Sequence, residues 1–332
     1  MMPSQTEELK AQLLHRRTRL QEFVSEERKT PQLIQLLQEV ESALERLNDG
    51  TYGLCEVCHD GIEDRYLQVE PLVRICLSHL SEDQQRAVER DLQLAAEIQV
   101  KFLPMRDVKI DGWEISYHYE PLGPVSGDYF DLVKSLDGGT YFFFGDVSGK
   151  GVAASLLASH LHAMFRTLAS SEIPLNRLVE RANRLFCEST LSANFATLVC
   201  GKVTRTGELE ICNAGHCYPL VVKGGQIRSI ESTGMPLGTF FNAEYQSRKM
   251  QLAGGDSLFL YTDGLTEARN PAGEEYSEAQ LSALVAREAQ RLPHDLIKVC
   301  IDDHAKFRSG SPKVDDLTIM VLRKEDLEVF LG

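Results

Sequence analysis

Four short aspartate motifs are spread along the chain: SGDYFD at 126–131, GDVSGKG at 145–151, TDGL at 262–265 and DDLT at 315–318. Each follows or joins an apolar, strand-like run. An Asp at a strand end can aim its carboxylate into a space shared with other strand ends, and an adjacent Gly lets the backbone come close to a bound ion. Divalent cations such as Mg2+ and Mn2+ take oxygen ligands, so carboxylates that converge in this way read as a metal site. One Asp-Gly pair alone is an ordinary hairpin turn. Four motifs, with no nucleophilic Ser or Cys motif nearby, favour a common site assembled from distant strand ends, and the fold has to bring them together. GDVSGKG superficially resembles a phosphate-binding loop, but Lys150 is followed by Gly151 where that loop carries Ser or Thr. A nucleotide site is therefore not expected.

The texture around these motifs is that of an α+β domain. After Pro104 come short β-rich runs punctuated by Gly: Trp113 to Tyr119, Thr140 to Phe144, Ala196 to Val203, Glu208 to Asn213, Leu220 to Lys223 and Ser257 to Tyr261. Helical stretches interrupt them at Val152 to Ala169, Pro174 to Leu191, Ser277 to Arg291 and Pro293 to Phe307. Runs of strands alternating with runs of helices predict helices packed on largely antiparallel sheets.

The first hundred residues read differently. Residues 5 to 28 place Leu9, Leu13, Leu20 and Phe23 or Val24 on one helical face. Thr30-Pro31 is a helix start, and Leu33, Leu37, Val40, Leu44 and Leu47 then form a coiled-coil seam that Asn48-Asp49-Gly50 ends. The two helices form an antiparallel hairpin or pack separately on the rest of the chain. A third helix runs from a cap at Ser81 to Pro104, and adjacent Ala95 and Ala96 would let it pair closely with its copy in a homodimer; a plain linker helix is the alternative. The 332 residues are enough for roughly two domains. With 35 Lys+Arg against 49 Asp+Glu, the net charge of −14 disfavours nucleic acid as a partner. No apolar run is long enough to span a membrane, so no membrane association and a cytoplasmic location are expected.

Three of the eight cysteines fall in one short segment. Cys55-x-x-Cys58 and Cys76-x-x-His79 make two ligand pairs, and a structural zinc ion takes four such donors in a tetrahedron. His59 lies beside Cys58 but outside the paired spacing. Cys187, Cys200, Cys212, Cys217 and Cys300 sit mostly in apolar patterns and read as core residues.

The segment LNDGTYGLCEVCHDGIEDRYLQVEPLVRICLSHL, residues 47–80, resembles the DksA/TraR-type zinc finger, and the preceding hairpin resembles the coiled coil of those proteins. In that family the finger is structural and the coiled coil can insert into RNA polymerase with acidic residues at its tip. The tip here, SEERKTPQ at 25–32, lacks the paired aspartates, and His79 stands where the family usually has a fourth Cys.

The aspartate motifs, together with AAEIQVKFLP at 95–104, FATLVCGKV at 195–203, NAGHCYP at 213–219, GMPLG at 234–238 and TDGLTEARN at 262–270, resemble the metal-dependent protein phosphatases of type 2C, in their SpoIIE/RsbU-like branch. The resemblance implies an αββα sandwich over residues 105–325, preceded by a helical hairpin (1–50), a zinc finger (51–80) and a linker helix (81–104). It implies two or more Mn2+ or Mg2+ ions, with Asp146 bridging them, the Val147 carbonyl as a further ligand, Asp128 near one ion, and Asp263 and Asp315 on the second. Asp316 is a weaker candidate ligand, and Asp131 supports the site from behind or caps a turn. His216 either donates a proton to the leaving serine oxygen or is a structural hydrogen-bonding residue. The implied substrate is a phosphoserine or phosphothreonine protein, by resemblance an anti-sigma-factor antagonist, and the N-terminal zinc module would regulate the enzyme. The competing reading is a zinc-finger binding protein whose phosphatase-like domain is inactive; such a domain would be expected to lose its metal aspartates, and all four motifs keep theirs.

Overall fold

The computed structural model describes residues 10–326 except 11–12, 15–16, 19, 22–30, 64–65, 68–69, 77–78, 80–81, 172 and 191–193. The chain divides into two compact units, Met1–Asp91 and Leu92–Gly332.

In the first unit the described residues between 10 and 21 are helical, and helix α1 spans Pro31–Asp49. Leu13 and Leu20 are buried with Val40, Ala43 and Leu44, while Leu33, Leu37 and Leu47 pack against them. Lys10 Nζ donates to Asn48 Oδ1 at 2.6 Å, so the start of the first segment lies beside the end of α1, as in an antiparallel hairpin. The hairpin tip falls largely on residues outside those described. Beyond α1, Cys55, Ile62, Leu67, Val73 and Cys76 form a second small core. Helix α2, Glu82–Phe102, crosses the division between the units.

The second unit is built on two sheets. The strands are β1 Asp107–Ile110, β2 Trp113–Glu120, β3 Asp128–Lys134, β4 Thr140–Val147, β5 Ala196–Val203, β6 Glu208–Ala214, β7 Leu220–Lys223, β8 Gln226–Ser229, β9 Arg248–Gln251, β10 Ser257–Tyr261 and β11 Leu317–Lys324. One sheet has the order β1-β2-β11-β10-β7-β8 and the other β3-β4-β5-β6-β9. Every pairing within them is antiparallel. Helices α3 Val152–Leu168 and α4 Leu175–Ser189 cover the second sheet. After the short α5, Asp263–Thr266, helices α6 Glu278–Arg287 and α7 Pro293–Arg308 cover the first.

The period of two along each strand sorts side chains into these layers. On β4, Phe142 and Phe144 join the core between the sheets, whereas Tyr141 and Phe143 face α3 and α4. On β11, Met320 and Leu322 enter the inter-sheet core, and Ile319 and Val321 pack against α6 and α7. Both faces of β4, β10 and β11 are covered, and each carries a continuous apolar run.

The αββα expectation is therefore met, and the six expected strands are found with bounds shifted by three residues at most. Five strands carried no separate reading in the sequence. Four of them, β1, β3, β8 and β9, are sheet edges; β1, β8 and β9 have four residues each, with only one or two apolar side chains, too short a run to stand out from a loop. The fifth, β11, is an inner strand between β2 and β10, and follows directly on the DDLT motif. Among the described residues no helix is long and apolar enough to cross a membrane.

Candidate functional site

Strand pairing brings the aspartate motifs together two by two. In the β3–β4 ladder Asp128 stands directly opposite Asp146. In the other sheet, β10 and β11 pair up to Tyr261 opposite Ile319, so Asp263 at the end of β10 and Asp315 just before β11 meet at the same end of that sheet. Two threonines join the halves: the Thr262 hydroxyl donates to Asp128 Oδ2 at 3.2 Å, and the Thr318 hydroxyl donates to the same oxygen. The Thr318 N–H donates in turn to Thr262 Oγ1 at 3.0 Å.

Two glycines make the approach possible. A Cβ on Gly264 would lie 1.9 Å from the Asp316 carbonyl oxygen, so only glycine lets the turn after Asp263 rest on the DDLT segment. A Cβ on Gly127 would lie 3.0 Å from the Val147 carbonyl oxygen and 3.2 Å from Asp146 Oδ1. The two oxygens expected to share an ion thus face the same small space, kept open by the missing side chain.

The carboxylates raise one another's proton affinity. Asp128 is buried, and burial, followed by the charges of Asp146 and Asp316, holds its pKa well above the usual carboxylate range. Burial pushes Asp146 up to about 8, with Asp263, Asp315 and Asp316 adding to the shift. Asp263 is raised by burial and by Asp315 and Glu267, against a smaller opposing effect from Lys150. Lys150 Nζ pairs with Asp315 Oδ2 at 2.7 Å, the one ion pair made by this cluster among the described residues. An all-oxygen set with so little opposing charge fits divalent cations.

Other expected residues have different duties. Asp316 uses both carboxylate oxygens to hold the loop before Asp128: it accepts from the Leu122 N–H at 2.6 Å, the Ser126 hydroxyl at 2.6 Å and the Gly127 N–H at 3.1 Å. The resemblance ranked Asp316 below Asp315 as a ligand, but its hold on this loop, through partners as far as 194 residues away, left no signal in the sequence. Asp131 neither reaches the cluster nor caps a turn. Three residues beyond Asp128 it projects from the opposite face of β3, fully buried, and Arg166 of α3 donates to it at 2.7 and 3.0 Å. His216 is buried with both ring nitrogens engaged, Nδ1 with the Thr197 hydroxyl at 2.8 Å and Nε2 with the Tyr261 carbonyl at 3.1 Å. Burial lowers its pKa to about 4, which favours the structural of its two expected roles.

The Cys/His segment forms a second donor set. The ligand atoms of Cys55, Cys58, Cys76 and His79 all lie within 4.8 Å of one another. Cys58 Sγ is 3.9 Å from Cys76 Sγ, and His79 Nδ1 is 3.8 Å from Cys55 Sγ and 3.0 Å from Cys76 Sγ. Zinc–sulfur bonds of about 2.3 Å in a tetrahedron place sulfurs roughly 3.7 Å apart, so the set fits zinc. His59 is not in the set. Its backbone takes a φ of 59° after Cys58, and its N–H donates to the Cys55 carbonyl at 2.8 Å, closing the turn. Of the other cysteines, Cys200, Cys212 and Cys300 are buried in the helix-facing cores, and burial raises the Cys187 and Cys217 thiols, so none is set up as a nucleophile.

Comparison with known proteins matches this architecture. IcfG of Synechocystis is 26% identical over 263 residues, which are 70% of this chain; the chain spans about two fifths of that protein, 41% of its length. RsbU of Bacillus subtilis, named a phosphoserine phosphatase, is 23% identical over 244 residues, covering 73% of this chain and 72% of RsbU. Among solved structures, the SiaA-PP2C domain of Pseudomonas aeruginosa superposes with a TM-score of 0.63 at 21% identity, covering 72% of this chain and 98% of that domain, and so shares its fold. The family described as Stage II sporulation protein E (SpoIIE) matches residues 136–325, more than half of the chain. The chain therefore belongs to the SpoIIE family.

Proposed function

We propose that this chain is a Mn2+- or Mg2+-dependent serine/threonine protein phosphatase. The observation that carries the reading is the meeting of Asp128, Asp146, Asp263 and Asp315 at the strand ends of two sheets, with Lys150 as the paired cation. Divalent ions held there would supply the positive charge that makes a water acidic enough to attack phosphorus at neutral pH and that offsets the phosphoryl oxygens. Asp146, with the Val147 carbonyl beside it, would hold ions on the β4 side; Asp263 and Asp315 would hold them on the β10–β11 side. Asp128 is oriented by Thr262 and Thr318 so that one oxygen stays available. Asp316 keeps the 122–127 loop in place behind it. The phosphoserine phosphatase name of RsbU supports the same substrate class.

The substrate we favour is a phosphorylated anti-sigma-factor antagonist, dephosphorylated by a cytoplasmic homodimer whose catalytic domain covers residues 105–325. Residues 1–50, 51–80 and 81–104 serve as hairpin, DksA/TraR-like structural zinc finger and linker helix, and regulate the enzyme. The donor spacing of Cys55, Cys58, Cys76 and His79 supports zinc. Nothing favours an inactive binding domain, since every aspartate motif is intact.

The test is phosphate release from an aryl phosphate and from a phosphoserine protein by the intact chain, with and without Mn2+, beside Asp146→Asn. Release that needs the metal and is lost in the variant supports the reading. A metal-independent rate, or one that Asp146→Asn leaves intact, refutes it. Removal of residues 1–80 is expected to change the rate without abolishing it; an unchanged rate and oligomer size would refute the regulatory role.

A further inference from the structure

Lys150 sits in the turn between β4 and α3, flanked by Gly149 at φ 97° and Gly151 at φ 74°. Its side chain crosses from the sheet of β4 to the segment that enters β11 in the other sheet. There its ammonium group donates to Asp315 Oδ2 at 2.7 Å and to the Val314 carbonyl at 2.6 Å. The other Asp315 oxygen, Oδ1, accepts from the Asp316 N–H at 2.9 Å. Both oxygens of this expected ligand are thus engaged, and a cation that binds Asp315 Oδ2 competes with the Lys150 ammonium for the charge of that carboxylate.

We propose that Lys150 has two positions: it neutralises Asp315 while that carboxylate holds no cation, and it binds the phosphoryl oxygens of the substrate once Asp315 holds one. The inference rests on the phosphatase reading above. An ammonium released from Asp315 stays at the mouth of the same site, because its backbone is pinned four residues after Asp146. It is half-exposed, with side-chain accessibility of 50%, so it is free to turn. It keeps three N–H donors and loses its charged partner, and a phosphoryl dianion offers the acceptors it then lacks. A lysine suits such an exchange better than an arginine, since it is a point charge on a flexible stem with rotatable donors. As a structural pair alone, a half-exposed contact of this kind contributes little.

The test uses the full chain with Lys150→Gln and Lys150→Arg, each checked to be folded by an unchanged circular dichroism spectrum. Free Mn2+ is followed by electron paramagnetic resonance during titration of the metal-free protein. Inorganic phosphate binding to the Mn2+-loaded protein is followed by calorimetry. Lys150→Gln is expected to bind the weaker Mn2+ about two- to fivefold more tightly, because a competing charge is gone. Its phosphate affinity should fall about tenfold, with KM for an aryl phosphate rising in step and kcat changing less. Lys150→Arg should keep most of the phosphate affinity. Unchanged phosphate affinity in Lys150→Gln, with or without tighter Mn2+, overturns the inference while leaving the phosphatase reading standing if the parent chain is active. A parent chain that neither binds Mn2+ nor releases phosphate overturns both.

Discussion

Asp146→Asn should make the metal-free protein more stable at alkaline pH, even as it removes the proposed activity. In the folded chain Asp146 titrates at about 8, against an ordinary value of 3.8. A carboxyl that holds its proton more tightly when folded contributes stability that is complete below the unfolded pKa and is lost as pH rises through the folded one. The loss for metal-free protein therefore falls between pH 4 and pH 8, and the direction is opposite to that of a salt-bridged aspartate. Integrated from pH 5 to 8.5, the difference between the two titrations is about 4 kcal/mol. For a unit of this size that corresponds to about 8–16 °C in Tm. An asparagine cannot ionise, so the variant should lack this slope and overtake the parent at high pH. Trp113, the single tryptophan, is fully buried between the two sheets, and its fluorescence reports unfolding of this unit without interference from the zinc segment. Thermal unfolding in chelator at pH 5, 7 and 8.5 measures both proteins. Excess Mn2+ should then reverse the order, since only the parent gains by ligand binding. Parallel pH profiles for parent and variant would refute the claim that these carboxylates repel one another in a buried site.

Gly264→Ala puts a Cβ where the Asp316 carbonyl oxygen stands, so the turn has to shift; it should cost about 1–3 kcal/mol and weaken Mn2+ binding at least tenfold, read by denaturation and Mn2+ titration. His216→Gln removes hydrogen bonds to Thr197 and Tyr261 and should cost about 1–3 kcal/mol while leaving the limbs of the kcat pH profile near neutrality in place; loss of a limb would show that His216 passes a proton. The intact chain should carry one zinc by atomic spectrometry, and Cys58→Ser should lose it and open residues 51–80 to protease.

Much of this was legible in the sequence because it depends on local pattern. Six strands, the helices and the seam of Val40 and Leu44 follow from periodicity, and the two x-x ligand pairs follow from spacing that one tight turn imposes. The strand ends carrying Asp128, Asp146, Asp263 and Asp315 were readable as motifs. Short edge strands were not, because four residues with one or two apolar side chains are too few to stand out from a loop. The partners of Asp131 and Asp316 were invisible for another reason: Arg166 lies 35 residues from Asp131, and Leu122 lies 194 residues from Asp316.

What the sequence alone determined is which residues have the chemistry, an all-oxygen acidic set and a sulfur–nitrogen set, since donor type is a property of the side chain. Only the tertiary structure decided how they are used. Asp315 and Asp316 are neighbours of identical chemistry, yet one faces Lys150 and the other ties down the loop before Asp128. His216 is an ordinary histidine until burial between Thr197 and Tyr261 takes up both nitrogens and favours the neutral ring. A carboxylate or imidazole acquires its charge and its partner from burial and from chain segments far away in sequence, and those are fixed only when the two sheets close on each other.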